Sequence, residues 1–342
     1  MTGRTALIHG TGLMGASLGL ALRTDGWTVF GWDPEPTALA AAEQRGALNR
    51  RLGSAADGIE DADLIVLAAP PAASEETLRG LDTETLVTDI ASVKTPIVHA
   101  AAHLRHFVGG HPMTGGASSG PALATSTLFQ GAMWILTSDN AVREDIDTMS
   151  SVVRSVGANP VVMTAEDHDR ITARISHLPH VIATSLVELA ADEETAISLA
   201  GGGFRDLTRV AGSEPGWWTE VLTANSRHVA AAIDGLTARL ERWKRALDDA
   251  NISAIAETLE NARRTQTGLG EHHVPVRVVL LDQPGEIARV GHALEESRAD
   301  VRDFQLRHGE HGGGGILTIS VSPGAVDDLT KALVNQGFRL QD

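Results

Sequence analysis

The feature that most constrains the fold of this chain is a set of three glycines close to its start. Gly10, Gly12 and Gly15 follow a short apolar run at residues 5–8 and precede a helical pattern, and a second apolar run ends at Asp33. In a strand, turn, helix and strand unit, the first glycine permits the tight turn. The second lets backbone approach a pyrophosphate, and the third lets the helix pack on the strand. The motif therefore predicts a dinucleotide-binding unit.

The acidic residue at the end of this unit predicts which dinucleotide binds. A carboxylate about 20 residues beyond the glycines accepts hydrogen bonds from both ribose hydroxyls of an adenosine and repels a 2′-phosphate. NAD is therefore the expected cofactor, and its predicted contacts are Gly10, Gly12, Leu13, Met14, Gly15 and Asp33. The alternatives are a glycine-rich turn in an ordinary α/β protein and a signal peptide. Glycines interrupt the apolar run, however, and no small-residue cleavage site follows it.

The composition argues against several classes of partner. The chain has 44 acidic and 28 basic residues, which give a formal charge of −16, so neither nucleic acid nor an anionic membrane is an expected partner. It has no cysteine, which excludes disulfides, thiolate nucleophiles and zinc-thiolate sites and is typical of a cytoplasmic protein. No apolar run approaches the roughly 20 residues of a membrane helix. An anionic substrate would need a local basic group.

Alternating strand and helix patterns fill the first part of the chain. Apolar strands separated by helices are typical of a Rossmann-type, doubly wound α/β sheet, and we assign residues 1–164 to such a domain. Its predicted strands are residues 5–8, 29–33, 63–68, 86–89, 107–109, 133–136 and 160–163. The chain of 342 residues is long enough for one or two further domains.

Ligands of a doubly wound sheet lie beyond the carboxyl ends of its strands. Two polar clusters follow strands in this way, at residues 89–94 and 110–116. A bound nicotinamide implies hydride transfer, which needs a base for the alcohol proton of the substrate. His111, just past a strand end and followed by Pro112, is the best candidate for that base. Its alternative role is a structural histidine that caps a loop.

The rest of the chain divides into a helical part and a mixed part. Residues 165–265 have the apolar spacing of helices and no strand pattern, which predicts an all-α domain that packs against a second copy in a homodimer. Residues 266–273 are glycine-rich and polar, as expected of a linker. Residues 274–342 follow the order β-α-β-β-α-β, which is typical of a ferredoxin-like α+β domain. Its four consecutive glycines at 312–315 are expected to form a hairpin tip.

Four motifs occur in order along the first two predicted domains, at residues 89–94, 110–115, 176–180 and 201–211. In this order and at this spacing they closely resemble the prephenate dehydrogenase family. The resemblance implies the NAD-dependent oxidative decarboxylation of prephenate or arogenate on the way to tyrosine. Loss of the ring carboxylate as CO2 aromatises the ring, which makes this reaction effectively irreversible.

The resemblance also implies roles for individual residues. His111 matches the histidine that accepts a hydrogen bond from the ring C4 hydroxyl as hydride leaves C4, and Ser92 matches a serine that bonds the same region. Arg209 matches the arginine that holds a substrate carboxylate, a suitable partner for a dianion in an acidic chain. His180 and Trp218 match substrate-pocket positions.

Some of these residues have structural alternatives. Arg209 could form a surface ion pair with Asp206, and Trp218 could be a core residue beside Trp217. His177 shares a helix face with His180, and we expect it to be structural.

We expect no metal site. A site that combines His177 and His180 with His168 is disfavoured, because the paired histidines and glutamate of metalloenzyme helices are missing and the family needs no metal.

The substrate prediction favours prephenate. In the family, a glutamate often follows the histidine motif, but no carboxylate occurs here from residue 110 to residue 131. This loop therefore has no partner for the side-chain amine that distinguishes arogenate from prephenate. Arogenate and an amino-deoxy prephenate remain alternatives, because another loop or the partner subunit could supply the charge.

Residues 281–287 resemble the strand-to-helix turn of an ACT domain. The resemblance implies feedback sensing of an aromatic amino acid such as tyrosine, with Asp282 and Gly285 as the predicted effector contacts, since a helix N-terminus favours a carboxylate. The alternative is a dimerising module that binds no effector.

Two other functions are weaker alternatives. A β-hydroxyacid dehydrogenase uses a lysine of its helical domain in catalysis, but the only lysine from residue 165 to residue 264 is Lys244, far from the motifs. A non-catalytic amino-acid sensor is disfavoured because it has no need for a base opposite a carboxylate clamp.

Overall fold

A computed structural model describes residues 3–114, 120–193, 195–267, 274–281, 283–308 and 314–341. These residues fall into two compact units that divide between Ala238 and Arg239. In the described ranges, no helix combines the length and the apolar character needed to cross a membrane. Residues 268–273 of the predicted linker, residues 115–119, the effector candidate Asp282, and Gly312 and Gly313 of the glycine tip lie outside the described residues.

Six parallel strands form the main sheet of the first unit. They are β1 Thr5–His9, β2 Thr28–Trp32, β3 Arg50–Arg51, β4 Leu64–Leu67, β5 Leu86–Asp89 and β6 Phe107–Val108. Their spatial order is β3-β2-β1-β4-β5-β6, and every neighbouring pair is parallel. This order is that of a dinucleotide-binding sheet, and the predicted Rossmann-type fold is therefore confirmed.

Helices cover both faces of this sheet and bury its strands. They are α1 Leu13–Thr24, α2 Pro36–Gln44, α3 Pro71–Gly80 and α4 Thr95–Ala100. Because successive strand residues point to opposite faces, Ile8 packs with Leu18 and Leu22 on one side of the sheet. Leu7 packs with Leu78 on the other side.

The later strands of this domain form a second sheet instead of extending the first. They are β7 Gly110–Pro112, β8 Met133–Thr137 and β9 Asn159–Met163, with α5 Arg143–Ser155 between the last two. β7 is antiparallel to β8, which is parallel to β9. His111 therefore lies inside a short strand, whereas the sequence predicted that it lies just past a strand end. The chain passes from the main sheet to the second sheet at Gly109. The N–H of Gly109 donates to Oγ1 of Thr137 on β8, at 3.0 Å.

The described residues from 165 to 267 contain no strand, in agreement with the predicted helical region. Its helices are α6 Ala165–Thr172, α7 Leu178–Ala191, α8 Gly202–Thr208, α9 Pro215–Ala224, α10 Ser226–Asp248 and α11 Ile252–Thr267. A π-helical turn, Ala173–His177, joins α6 to α7, and a 3₁₀ turn, Arg209–Gly212, follows α8. The boundary between the compact units falls within α10.

The second unit contains an antiparallel sheet. After the end of α10 and α11, the elements of this unit are β10 Val274–Leu280, α12 Glu286–Ser297, β11 Val301–His308, β12 Gly315–Val321, α13 Val326–Asn335 and β13 Arg339–Gln341. The strand order is β11-β12-β10-β13. Both helices pack on one face of the sheet, around a core that includes Val278, Val290, Ile319 and Leu333. The predicted β-α-β-β-α-β succession is therefore observed.

Candidate active site

The three glycines of the N-terminal motif differ in what surrounds them. Gly10 has a φ of +92°, and a Cβ at this position would lie 2.5 Å from the carbonyl oxygen of Ala68. A Cβ on Gly15 would overlap the carbonyl oxygen of Gly10. Around Gly12, by contrast, nothing lies within 4 Å of the Cβ position. Gly10 and Gly15 are therefore required by the fold, whereas Gly12 leaves open space at the start of α1.

That open space fits a pyrophosphate. Gly12 is the N-cap of α1 and no side chain caps the helix, so the first N–H groups of the helix, which begins at Leu13 and Met14, lack helical partners. Asp33 is held beside the turn, because its Oδ2 accepts the N–H of Thr11 at 2.6 Å and its Oδ1 accepts the N–H of Glu35 at 2.9 Å. The residues present thus fit the NAD site that the sequence predicts.

A cavity of about 270 Å³ brings together most of the predicted substrate residues. It is lined by Ser92, His111, Met113, Thr114, Ser176, His177, Trp217 and Trp218. His180 stacks on Trp218 with ring centroids 3.8 Å apart, so it forms the wall behind that indole. Arg209 is exposed and begins the 3₁₀ turn after α8; it is not among the residues that line this cavity in the described structure.

His111 is the first member of a hydrogen-bonded chain that sequence analysis missed. Its Nδ1 lies 2.8 Å from Nε2 of His168, and Nδ1 of His168 lies 2.8 Å from Oδ1 of Asp169. Both α6 residues are almost completely buried. The available signal was the adjacent His168 and Asp169 in a helical pattern, but His168 was considered there only as a metal ligand.

Asp169 also binds the segment that carries Ser92. Its Oδ1 accepts the N–H of Lys94 at 2.7 Å, and its Oδ2 accepts the N–H of Thr95 at 2.8 Å. Burial alone would raise the pKa of Asp169, but hydrogen bonds from His168 and from these backbone groups hold it below its usual value. Asp169 is therefore a carboxylate that only accepts hydrogen bonds.

Lys94 lies under the strand of His111. Its side chain is fully buried, and its Nζ donates to a carboxylate oxygen of Asp89 and to the carbonyl of Gly110. Burial lowers the pKa of Lys94, although the charge of Asp89 opposes this effect. This charged pair fixes β5 to β7 and places a positive group close to His111.

Asn225 determines which nitrogen of His177 carries hydrogen. The Nδ2 of Asn225 donates to the carbonyl of Asp169 at 2.8 Å, which identifies it as the amide nitrogen, and it lies 3.1 Å from Nδ1 of His177. That Nδ1 therefore accepts, and Nε2 of His177 carries the hydrogen. Burial lowers the pKa of His177 to about 4. His177, expected to be structural, is thus a neutral donor in the cavity wall.

His111 is held in its neutral form. Burial is the largest cause that keeps the pKa of His111 well below 6.5, and His168, Lys94 and His177 lower it further. A neutral histidine in a cavity can take a proton from a bound hydroxyl. Within the described ranges, no group of three or more His, Cys, Asp or Glu side chains is arranged to hold a metal ion.

Comparison with known proteins identifies the family. Residues 18–162 match the description "Prephenate dehydrogenase, nucleotide-binding domain", and residues 164–261 match "Prephenate dehydrogenase, dimerization domain". The prephenate dehydrogenase of Bacillus subtilis is 30% identical, over 92% of this chain and 91% of that protein. This chain belongs to the prephenate dehydrogenase family.

Two other members of the prephenate dehydrogenase family are similar along most of their length. The probable prephenate dehydrogenase NovF of Streptomyces niveus is 31% identical, over 96% of this chain and 97% of the relative. The crystal structure of Aquifex aeolicus prephenate dehydrogenase with hydroxyphenyl propionate and NAD+ is 28% identical, with a TM-score of 0.72. The match covers 79% of this chain and 99% of the Aquifex aeolicus chain. The family predicted from four sequence motifs is therefore confirmed.

Proposed function

We propose that this protein is an NAD-dependent prephenate dehydrogenase, which converts prephenate to 4-hydroxyphenylpyruvate in tyrosine biosynthesis. The observation that carries the proposal is the cavity in which Ser92 and a neutral His111 face the same space. The Bacillus subtilis relative is named as a prephenate dehydrogenase and the Streptomyces niveus relative as a probable prephenate dehydrogenase. The fold, the pairing of base and hydroxyl, and the family membership are consistent with one reaction.

The cofactor site is assigned to the glycine motif. NAD, when bound, supplies the acceptor for the hydride that leaves C4 of the substrate ring. Gly12 leaves room for the pyrophosphate, Leu13 and Met14 offer N–H groups at the start of α1, and Asp33 accepts the ribose hydroxyls. Gly10 and Gly15 keep the turn and helix in place.

His111 and Ser92 act on the C4 hydroxyl. As the C4–H bond breaks, Nε2 of His111 accepts the hydroxyl proton and a carbonyl develops at C4, while the Ser92 hydroxyl bonds the same oxygen. The bond between C1 and its carboxylate then breaks, CO2 leaves, and the electron pair of that bond aromatises the ring. The proton held by His111 returns to the phenolic oxygen, so the reaction releases no net proton.

The other substrate contacts are assigned to the wall of the cavity and to Arg209. The indole of Trp218, supported from behind by the stacked ring of His180, offers a flat surface for the substrate ring. Nε2 of His177 offers a neutral hydrogen-bond donor. We assign the side-chain carboxylate of prephenate to Arg209, whose exposed guanidinium suits a bidentate contact.

We also propose a homodimer built on the helical region. The family domain that matches residues 164–261 is named for dimerization, and the helices of this region expose large apolar side chains that a partner would cover. They include Leu189, Leu240, Ile252 and Leu259. We also propose domain boundaries at residues 1–164, 165–265 and 274–342. The proposed location of the enzyme is the cytoplasm.

Residues 274–342 of the second unit are proposed to form a ferredoxin-like ACT domain that binds an aromatic amino acid. Its strand order and helix placement support the fold. Gly285 has a φ of +87° and is the N-cap of α12. The carboxylate of Glu286 accepts the N–H groups of Leu281 and Gln283, at 2.9 and 3.2 Å. We assign the effector carboxylate to the N-terminal end of α12 at Gly285. Asp282, the other predicted effector contact, lies outside the described residues.

A substrate panel tests the function. Purified protein is given prephenate or arogenate, each with NAD or NADP and with or without tyrosine, and NADH or NADPH absorbance is followed. We expect turnover of prephenate with NAD, and inhibition by tyrosine would support the proposed effector. Turnover of arogenate alone would overturn the substrate assignment. No turnover of either substrate with either cofactor would overturn the proposed reaction and favour the alternative of a non-catalytic amino-acid sensor.

A further inference from the structure

We propose that His168 and Asp169 are positioning residues that fix the tautomer of His111, so that its Nε2 presents a lone pair to the substrate hydroxyl. The inference rests on the proposed function only for the identity of that hydroxyl. The hydrogen-bonded chain itself is a property of the protein, and it can be tested without any substrate.

The direction of the hydrogen bonds follows from the carboxylate end. Both oxygens of Asp169 already accept backbone N–H groups, those of Lys94 and Thr95, at 2.7 and 2.8 Å. A carboxyl hydrogen would face these donors, so Asp169 is ionised and can only accept. Nδ1 of His168, 2.8 Å from Oδ1, must therefore carry the hydrogen of this pair.

The histidine pair then has one consistent arrangement. Burial lowers the pKa of His168, against the opposing effect of Asp169, and a neutral imidazole has one N–H. With its hydrogen on Nδ1, His168 has a lone pair on Nε2. Nδ1 of His111, 2.8 Å away, must donate to it, which leaves the lone pair of His111 on Nε2. The ring nitrogen opposite the hydrogen bond thus becomes the base.

The same carboxylate also sets the position of Ser92. Asp169 accepts the N–H groups of Lys94 and Thr95, which are two and three residues beyond Ser92. Lys94 ends the loop that follows β5, and Thr95 begins α4. Asp169 is thus hydrogen-bonded to the segment of Ser92 and, through His168, to His111. Asp169 therefore helps to position both Ser92 and His111, the two residues that bond the C4 hydroxyl.

The hydrogen bond between His111 and His168 persists when the reaction places a positive charge on His111. When Nε2 of His111 takes the hydroxyl proton, the ring becomes an imidazolium whose Nδ1–H still donates to His168. The negative charge of Asp169 behind His168 favours that positive charge, whereas burial, His168, Lys94 and His177 disfavour it. No further proton transfer is needed, because the proton on Nε2 returns to the phenolic oxygen after CO2 has left.

Substitution of His168 tests the positioning role. His168→Phe keeps a ring of similar size and removes the acceptor of the His111 Nδ1–H, so we expect kcat to fall about 10- to 100-fold with KM for prephenate and for NAD nearly unchanged. His168→Gln can place an amide oxygen where Nε2 was, and it should recover most of the lost rate. His106→Phe is the matched control, since His106 is paired with Asp145 at 2.9 Å outside the cavity, and it should keep the wild-type kcat.

Unchanged kcat in His168→Phe would overturn the proposal, as would a rate in His168→Gln no better than in His168→Phe. The tautomer is measured directly by ¹⁵N spectra of the wild-type protein with labelled histidines, assigned with His111→Asn. We expect a protonated Nδ1 and an unprotonated Nε2 on His111 at neutral pH. The opposite tautomer would overturn the inference even if the wild type turned over no substrate. A protein that shows the expected tautomer but no turnover would instead locate the failure in the proposed function.

Discussion

The ammonium group of Lys94 lies 2.6 Å from the carbonyl oxygen of Gly110, the residue that precedes His111. The N–H of the same glycine donates to Oδ1 of Asp89 at 3.0 Å. Both backbone groups of Gly110 are thus held by one buried ion pair. A Cβ on Gly110 would lie 2.5 Å from the carbonyl oxygen of Asp89, so only glycine allows this approach. The strand of His111 is fixed to the main sheet at this point.

Loss of Lys94 should therefore destabilise the protein strongly. Lys94→Met leaves the buried carboxylate of Asp89 without its cation, and we expect the free energy of unfolding to fall by about 3–5 kcal/mol. Lys244→Met is the matched control, because Lys244 pairs with Asp248 on the surface, where such a pair contributes about 1 kcal/mol or less. Urea unfolding followed by tryptophan fluorescence measures both. Equal losses in the two variants would contradict this account of the ion pair.

His111→Asn should abolish most of the activity without affecting cofactor binding. The asparagine cannot take the hydroxyl proton, so kcat should fall at least about 100-fold, the scale of a lost general base. The glycine turn and Asp33 are untouched, so the Kd for NAD, measured by calorimetry, should stay at the wild-type value. Turnover at the wild-type rate would remove His111 from the reaction.

The pH dependence of kcat/KM should reflect the lowered pKa of His111. The neutral ring is the active base, so activity is present above the pKa of the folded protein and is lost as pH falls through it. Burial and the neighbouring charges place that pKa well below 6.5, and the acid limb of the profile should therefore lie below pH 6.5. Because His111 and His168 are coupled, the limb reports the pair. An acid limb at or above pH 6.5 would show that the site does not hold His111 neutral.

The glycines of the cofactor turn should respond differently to alanine. Gly12→Ala adds a methyl group to open space, so the free energy of unfolding should change little while the Kd for NAD rises at least about tenfold. Gly15→Ala overlaps the carbonyl oxygen of Gly10 and should cost about 1–3 kcal/mol of stability, as overpacking does. Thermal unfolding and NAD titration separate the two effects. A Gly12→Ala protein that binds NAD normally would place the pyrophosphate elsewhere.

Arg209 should act mainly on substrate binding. Arg209→Ala removes a bidentate partner for a carboxylate, so KM for prephenate should rise about tenfold or more with a smaller change in kcat. Arg209→Lys keeps the charge but not the planar fork, and it should recover only part of the loss. Arg143→Ala, at an exposed position on α5, is the control. If KM is the same in Arg209→Ala as in the control, Arg209 does not contact substrate.

Local patterns in the sequence predicted most of the fold. The glycine motif, the apolar strands and the helical spacing after residue 165 depend on neighbours within a few positions, and their elements lie where they were expected. β7 was not predicted as a strand because three residues carry no periodic signal. Its pairing with β8 depends on contacts more than 20 residues away in sequence, such as that of Gly109 with Thr137.

The candidate site was predicted only in part for the same reason. Ser92, His111 and Trp218 were identified from motifs and line one cavity. The link from His111 to His168 spans 57 residues and exists because α6 packs beside the start of α4. Nothing in the local sequence of Asp169 indicates that it accepts N–H groups from Lys94 and Thr95. Hydrogen bonds between distant segments become visible only in the folded chain.

The π-helical turn at Ala173–His177 makes the active site sensitive to chain length as well as to side-chain identity. Each residue advances an α-helix by about 100°, and a π turn accommodates one residue more than an α turn. Deleting one residue here would restore a regular helix and rotate His168 and Asp169 by about 100° relative to His177 and His180. His168 and Asp169, which position the base, would then face a different direction from His177 and His180 in the wall of the substrate cavity. One extra residue thus allows a single continuous helix to serve both.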